Sequence, residues 1–380
     1  MIYMDNSASS FYKPQCVINA VSNALSFITG NPGRSGHGMA MRGAALVLAA
    51  REKCSAFFGL KDSGGMIFTD NCSGALNLAI LGSVRRGGHV VTTALEHNSV
   101  LRPLYELKRR GEITLSVAMP SESGAVGADA VERLIRPETY LVITNHVSNV
   151  TGAIAPVAEI GKICRQKGIL YLVDAAQSAG YLDIEMDSQN IDLLAVAPHK
   201  GLHAPQGVGL LAIGERAQGQ IKPIRYGGTG TASHELKQPE DLPEGLETGT
   251  LPTPAIAGLC AAIDWCKRES LKNREIMHRL GIKLRRGLKN IPGVRILSPD
   301  SALNGLISFN VTGMPSESVG DILSGQYDIC VRAGLHCAPL IHEAMGTLKT
   351  GAVRVSLGCD NTENEIDFFL KAVHEIAAEI

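Results

Sequence analysis

Two short apolar runs constrain this chain more than anything else in it. ILYLV (Ile169–Val173) stops at Asp174, and IDLLAVA (Ile191–Ala197) stops at Pro198-His199-Lys200. Runs this short, apolar throughout and closed by turn residues, predict strands buried on both faces, as in a parallel sheet. Each run delivers a polar residue where its strand ends, the rim at which open α/β sheets place ligands. A carboxylate at one strand end and a lysine at the next suit a ligand that needs a negative partner and an amine anchor. Taken alone, the pair could equally be two unrelated residues on surface loops.

The alternation continues upstream. GMIFTDNCSGALNLAILGSV (Gly65–Val84) reads as strand, tight turn and a helix starting near Cys72-Ser73, and HVVTTALEHNSVLRP (His89–Pro103) as another strand and helix entry. TLSVAM, ADAVERLIR, YLVIT and PVAEIGKICRQKG repeat the pattern, which argues for βαβ units and a mostly parallel sheet. From Ala255 the rhythm changes. Two long helical patterns, AIAGLCAAIDWCKRES and NREIMHRLGIKLRRGLKN, precede short strands and a last helix, ENEIDFFLKAVHEIAAEI. The expectation is a large α/β domain over 15–255 and a smaller α+β domain over 256–380 that includes residues 1–14.

A length of 380 residues suits two domains. A net charge of −1 provides no field to recruit nucleic acid or an anionic membrane. No apolar run reaches the ~18–20 residues of a spanning helix, and the N-terminus lacks a signal pattern, which predicts a cytoplasmic protein. The nine cysteines are scattered without a CxxC pair, against both a disulfide framework and a metal site. Most are expected to be buried apolar residues.

Pyridoxal phosphate is a cofactor of the required kind, with a lysine Schiff base and a carboxylate on the pyridinium nitrogen. VDAAQS followed by HK, with 26 positions from Asp174 to Lys200, resembles the class V aminotransferase family of fold type I, and within it the cysteine desulfurases. The resemblance implies a seven-stranded-type sheet, Lys200 as cofactor anchor and Asp174 as ring-nitrogen partner. ALEHN resembles a desulfurase segment whose histidine stacks on the ring, which assigns His97, otherwise a plain capping or core residue. VSNVTG matches the family's VSN-x-TG and places Asn149, with Gln177, at the phenolic oxygen. The turn before the second helix-forming run implies a phosphate cup from Cys72, Ser73, His199 and the backbone N–H groups of a helix start. Here the chain departs from the family. Cys72 and Ala197 stand where hydroxyl residues are usual, so the cup has two fewer side-chain donors. ETGTLP resembles the segment whose threonine reaches the neighbouring subunit's phosphate, which implies a homodimer with Thr250 crossing over. The glycine-rich GNPGRSGHG, with Asn31, Arg34 and His37, resembles a loop near the active-site mouth.

RAGLHC (Arg332–Cys337) resembles the R-x-G-x-H-C loop of group II cysteine desulfurases and selenocysteine lyases. Cationic neighbours, here Arg332 and His336, favour a thiolate when the side chain is accessible, so Cys337 is the candidate nucleophile. Arg354 matches the arginine that clamps the substrate carboxylate, a task suited to a planar fork, with Arg332 beside it. The implied activity is conversion of L-cysteine to L-alanine with a persulfide on Cys337 and a sulfur-acceptor protein beyond. Selenocysteine lyase, a class V aminotransferase without need of Cys337, and a degenerate partner-binding scaffold remain open alternatives.

Overall fold

Side chains of the central strands alternate between two apolar layers, and this alternation places the site. The structure is a computed structural model that describes residues 1–379 except 34, 122–123, 232–233 and 303–304. Arg34 therefore lies outside the described residues. The chain begins with β1 (Ile2–Tyr3), α1 (Gln15–Phe27) and α2 (Gly38–Phe57). Strands and helices then alternate through β2 (Met66–Thr69), α3 (Cys72–Gly82), β3 (Gly88–Thr93), α4 (Asn98–Arg109) and β4 (Ile113–Ala118). There follow α5 (Ala128–Glu132), β5 (Thr139–Asn145), α6 (Val157–Gln166), β6 (Leu170–Asp174), β7 (Leu193–Val196) and β8 (Gly209–Ile213). Seven of these strands form one sheet in the order β2-β8-β7-β6-β5-β3-β4, in which only β8 runs against its neighbours.

Leu141, Ile143, Leu170, Leu172 and Leu193 face one layer, with Leu76 and Ile80 of α3 and Leu104 of α4. Val142, Tyr171, Val173, Leu194 and Val196 face the other, with Ile160 of α6. With both faces covered, the strand ends alone are open, and the register aligns them: Asn145 pairs with Asp174, and Asp174 with Ala195.

The rest comprises α7 (Thr253–Lys289), β9 (Val294–Ile296), β10 (Leu306–Val311), α8 (Ser316–Tyr327) and β11 (Ile329–Cys330). It continues through β12 (Arg332–Gly334), α9 (Pro339–Ala344), β13 (Ala352–Ser356) and α10 (Glu363–Ala378). An antiparallel sheet in the order β12-β13-β10-β9 forms here, and β1 pairs in parallel with β11. The two helical patterns expected after Ala255 are one helix of 37 residues. The joining residues Ser270–Asn273 include neither proline nor glycine, so the i→i−4 ladder continues through them. Its first half enters the large-sheet core through Ile256, Leu259 and Ile263, its second half the other core through Leu280, Leu284 and Leu288.

Candidate active site

One cleft at the carboxyl rim of the large sheet is lined by Cys72, Ser73, His97, Asn149, Asp174, Gln177, His199 and Lys200, with Asn71, Ser99 and Asn145 among its other walls. Residues up to 129 positions apart in sequence, from Asn71 to Lys200, converge because β2, β3, β5, β6 and β7 all end there. Gly209 helps set the entry to α3: a Cβ on it would lie 2.2 Å from the Asn71 carbonyl carbon. Asn71 caps α3 by accepting from Gly74 N at 2.9 Å.

Asp174 is buried, and its Oδ1 accepts from Ala176 N at 2.9 Å and lies 3.8 Å from the Cys72 thiol donor. Burial raises its pKa, while Lys200 works in the opposite direction. Burial likewise lowers the Lys200 pKa, with Asp174 opposing. His97 caps α4, its Nδ1 accepting from Ser99 N at 3.0 Å, so the neutral ring carries its proton on Nε2. Burial, and next Lys200, push its pKa down to about 4. The capping and functional roles of His97 are thus compatible. His199 is also held down, to about 4, chiefly by burial.

Cys337 is exposed on the turn between β12 and α9, and Arg332 Nη2 lies 3.7 Å from its Sγ. The loop is stapled to the cleft: Asn98 N donates to Cys337 O at 2.7 Å, and Asn149 Nδ2 to His336 O at 2.7 Å. His336 does not supply the expected cation. Its buried ring donates from Nε2 to Ala352 O at 3.0 Å, and burial beside Arg354 pushes its pKa down to about 2. Arg332 alone remains as the cationic neighbour drawn from that motif.

Arg354 is 1% exposed and already engaged, Nη1 with Asn149 O at 2.9 Å and Nη2 with Asp5 Oδ1 at 2.7 Å. It stands behind the cleft wall rather than lining it. Thr250 is exposed and lies outside the cleft, accepting from Asn31 Nδ2 at 3.3 Å. His37 caps α2 by accepting from Ala40 N. Of the nine cysteines, four are buried, Cys54, Cys164, Cys260 and Cys266, so the expectation that most are buried fails. Cys16 is exposed like Cys337, and the remaining three are half-buried.

A family model described as Aminotransferase class-V matches residues 2–369. The chain belongs to the class-V aminotransferase family. A probable cysteine desulfurase of Methanothermobacter thermautotrophicus is 33% identical to this class-V chain, over 99% of it and 94% of the relative. The apo structure of a cysteine desulfurase from Thermococcus onnurineus superposes with a TM-score of 0.92 at 31% identity, covering 100% of this chain and 95% of the other. The cysteine desulfurase CsdA of Escherichia coli superposes with a TM-score of 0.88 at 25% identity, covering 99% and 94%. These relatives and the mostly parallel sheet agree with the fold type I architecture expected of a class-V chain.

Five contributors to this class-V cleft escaped the sequence reading. Ser9 and Ser10 bond His199, Ser10 Oγ donating to its carbonyl at 3.0 Å. Lys13 Nζ donates to the same carbonyl at 3.2 Å, and Asp5 holds Arg354. Nothing local in the N-terminal stretch marks these contacts, because its partners lie some 190 and 350 residues away in sequence. Glu96 was quoted but given no role. It is buried, Oε1 accepting from Thr93 Oγ1 at 2.6 Å and Asn145 N at 2.9 Å, and burial pushes its pKa up to about 8.

Proposed function

We propose that this protein is a pyridoxal-phosphate-dependent cysteine desulfurase that converts L-cysteine to L-alanine and carries the sulfur as a persulfide on Cys337. The supporting observation is the stapling of the Cys337 turn onto the cleft that holds Lys200 and Asp174. A transaminase has no step for a thiol at that place.

The cleft suits the cofactor. The Asp174 carboxylate carries its recorded hydrogen bonds on Oδ1, which leaves Oδ2 for a protonated ring nitrogen. Lys200 supplies the amine, and His97 a ring face with an Nε2–H. Asn149 and Gln177 would take the phenolic side; the second N–H of Asn149 Nδ2 remains beside the one given to His336 O. Ser73, His199 and the N–H groups at the start of α3 would hold the phosphate. Pyridoxal phosphate, when bound, supplies an electron sink for charge that develops at the substrate Cα.

In this reading Lys200, its pKa lowered, takes the Cα proton as a neutral amine. Cys337 Sγ bonds to the substrate sulfur as the substrate Cβ–S bond breaks. The electron pair leaves with Cβ, which takes a proton and becomes the methyl group of alanine, and Lys200 returns its proton to Cα. His97 Nε2–H, on a ring kept neutral, serves that site as a hydrogen-bond donor, and the proton itself comes from water. Arg354 with Arg332 draws the substrate carboxylate to the side from which its sulfur points at Cys337; Arg354 Nε, buried without a partner, is the donor still to be used. The exposed turn leaves the persulfide open to an acceptor protein.

Two features support a homodimer. Ile18 with Leu25 on α1 and Met41 with Leu48 on α2 are apolar side chains seven positions apart, each about half exposed, an unusual surface for an isolated chain. Thr250, away from its own cleft, lies beside the same region through Asn31. The nine cysteines are all unpaired, as a reducing cytoplasm would keep them, and no helix among the described residues is long and apolar enough to cross a membrane.

Product analysis with the Cys337→Ser protein tests the assignment, using L-cysteine and L-selenocysteine in parallel. The variant should keep the cofactor spectrum and still bind L-cysteine. Alanine formation from L-cysteine should fall by orders of magnitude, with no persulfide to alkylate. Full activity on L-cysteine in this variant would refute the mechanism, whatever it does with selenocysteine.

A further inference from the structure

His336 and Cys337 are consecutive residues with φ of +49° and +58°. Side-chain-bearing residues rarely adopt the left-handed region, and two in a row persist only where the surroundings over-determine them. Three contacts do so here: Asn149 Nδ2 on His336 O, Asn98 N on Cys337 O, and His336 Nε2 on Ala352 O. The last fixes the tautomer. A nitrogen that donates to a carbonyl carries the proton, so His336 Nδ1 is a bare acceptor. It is buried and has no partner.

A second buried histidine faces it. His342, on α9, has its ring centroid 5.9 Å from that of His336, with the planes 35° apart. Its Nδ1 is 2.8 Å from Thr347 Oγ1, and its Nε2 is buried without a partner. The separation falls between a direct imidazole–imidazole hydrogen bond and a water-bridged one, roughly 5 and 7 Å when each contact is ~2.9 Å. Two orphaned nitrogens on neighbouring buried rings behind a nucleophile call for a joint account. If the Thr347 hydroxyl donates to His342 Nδ1, the His342 proton sits on Nε2, and the neighbouring rings carry one unpaired donor and one unpaired acceptor.

We propose that His342 is a positioning residue for Cys337: its Nε2–H serves the Nδ1 of His336, directly or across one water, and so locks the turn 335–338 onto β13. The proton order then runs one way, from Thr347 Oγ1–H to His342 Nδ1, His342 Nε2–H to His336 Nδ1, and His336 Nε2–H to Ala352 O. Both rings stay neutral, since burial lowers the pKa of each and Arg354 and Arg332 oppose a charge on His336. The residue touches no substrate; it acts by holding the backbone that aims the sulfur. The functional part of this inference rests on the role proposed for Cys337.

Nitrogen-15 spectra of histidine-labelled protein test the order directly, with His342→Gln used for assignment. Both rings should be neutral and protonated on Nε2, with His336 Nδ1 showing an acceptor's shift. A proton on Nδ1 of either ring overturns the proposal. In single-turnover assays of the cofactor-loaded enzyme, His342→Phe should slow persulfide formation on Cys337 roughly 10- to 100-fold, the scale of an ångström's misplacement. KM and the cofactor absorbance should hold, and His342→Gln, with an amide N–H near the Nε2 position, should recover most of the rate. A Phe variant at the wild-type rate, or a Gln variant as slow as Phe, overturns it. If His342→Phe does not fold, the wild-type spectra and the Gln variant still decide. A wild-type enzyme that forms no persulfide would defeat the desulfurase reading itself, and the spectra would judge the histidine pair independently.

Discussion

Asp5→Ala should unsettle the junction between the two sheets. Asp5 Oδ1 accepts from Arg354 Nη2 at 2.7 Å, where Arg354 is 1% exposed and the Asp5 side chain 20%. Burial already lowers the Arg354 pKa, and Asp5 is the main influence opposing it. Deleting one partner of a fully buried pair costs about 3–5 kcal/mol, because the other charge is left desolvated. Water can enter where Asp5 stood, and Nη1 keeps the Asn149 carbonyl, so we expect about 2–3 kcal/mol. Urea unfolding of the cofactor-free protein, followed through the first transition, measures it. The same substitution in an Arg354→Met background should cost less than ~0.5 kcal/mol, since no ion remains to strand. Equal costs in the two backgrounds would show that the Asp5 carboxylate does not act through Arg354 and refute the reasoning.

Three further outcomes are expected. Lys200→Ala and Thr250→Val should each be inactive or poorly loaded alone, yet a mixed dimer should regain one working site, because the Lys200→Ala chain lends an intact Thr250 to its partner; no recovery on mixing would remove Thr250 from the neighbour's phosphate. Cys72→Thr with Ala197→Ser should slow cofactor loss on dialysis, each new charge-assisted bond adding roughly 1–3 kcal/mol; faster loss would mean that the cup is shaped for their absence. Acidification should destabilise the fold between pH 6.5 and 4, where the unfolded chain protonates His97, His146, His199 and His203 while the folded pKa values lie at about 4. His336, held down to about 2, adds a fifth, and Glu96, raised to about 8, opposes them, leaving about four excess protons on the unfolded state and roughly 1.4 kcal/mol per pH unit for each; a urea midpoint that rises on acidification would contradict this.

The cleft was legible where a residue sits at the end of a strand. Asp174 and Lys200 could be read from the runs before them, because a buried strand ends where its polar residue begins. His97 and Asn149 needed the family resemblance, since single residues after a strand are ordinary caps as often as ligands. Arg354 shows the limit. Its matching motif says what it faces in relatives, but only the folded chain shows Asp5 already on its guanidinium. Contacts of Ser10 and Lys13 with His199 leave no periodicity, so nothing local marks them. The split of α7 into two helices failed for a related reason: a weakening apolar stripe looks like an end, although it marks only the passage from one core to another.

That passage has a mechanical consequence. A helix of 37 residues is a beam of about 55 Å, clamped at one end under the lysine-bearing sheet and at the other under the sheet that presents Cys337. No loop interrupts it to serve as a hinge, so the two halves cannot swing apart without bending a continuous ladder of hydrogen bonds. The Cys337 thiol and the Lys200 amine are therefore mounted on one chassis at a preset spacing. If Cys337 takes the sulfur as proposed, adjustment falls to the substrate's own rotation and to the four residues 335–338, and only molecules short enough to bridge a fixed gap should react.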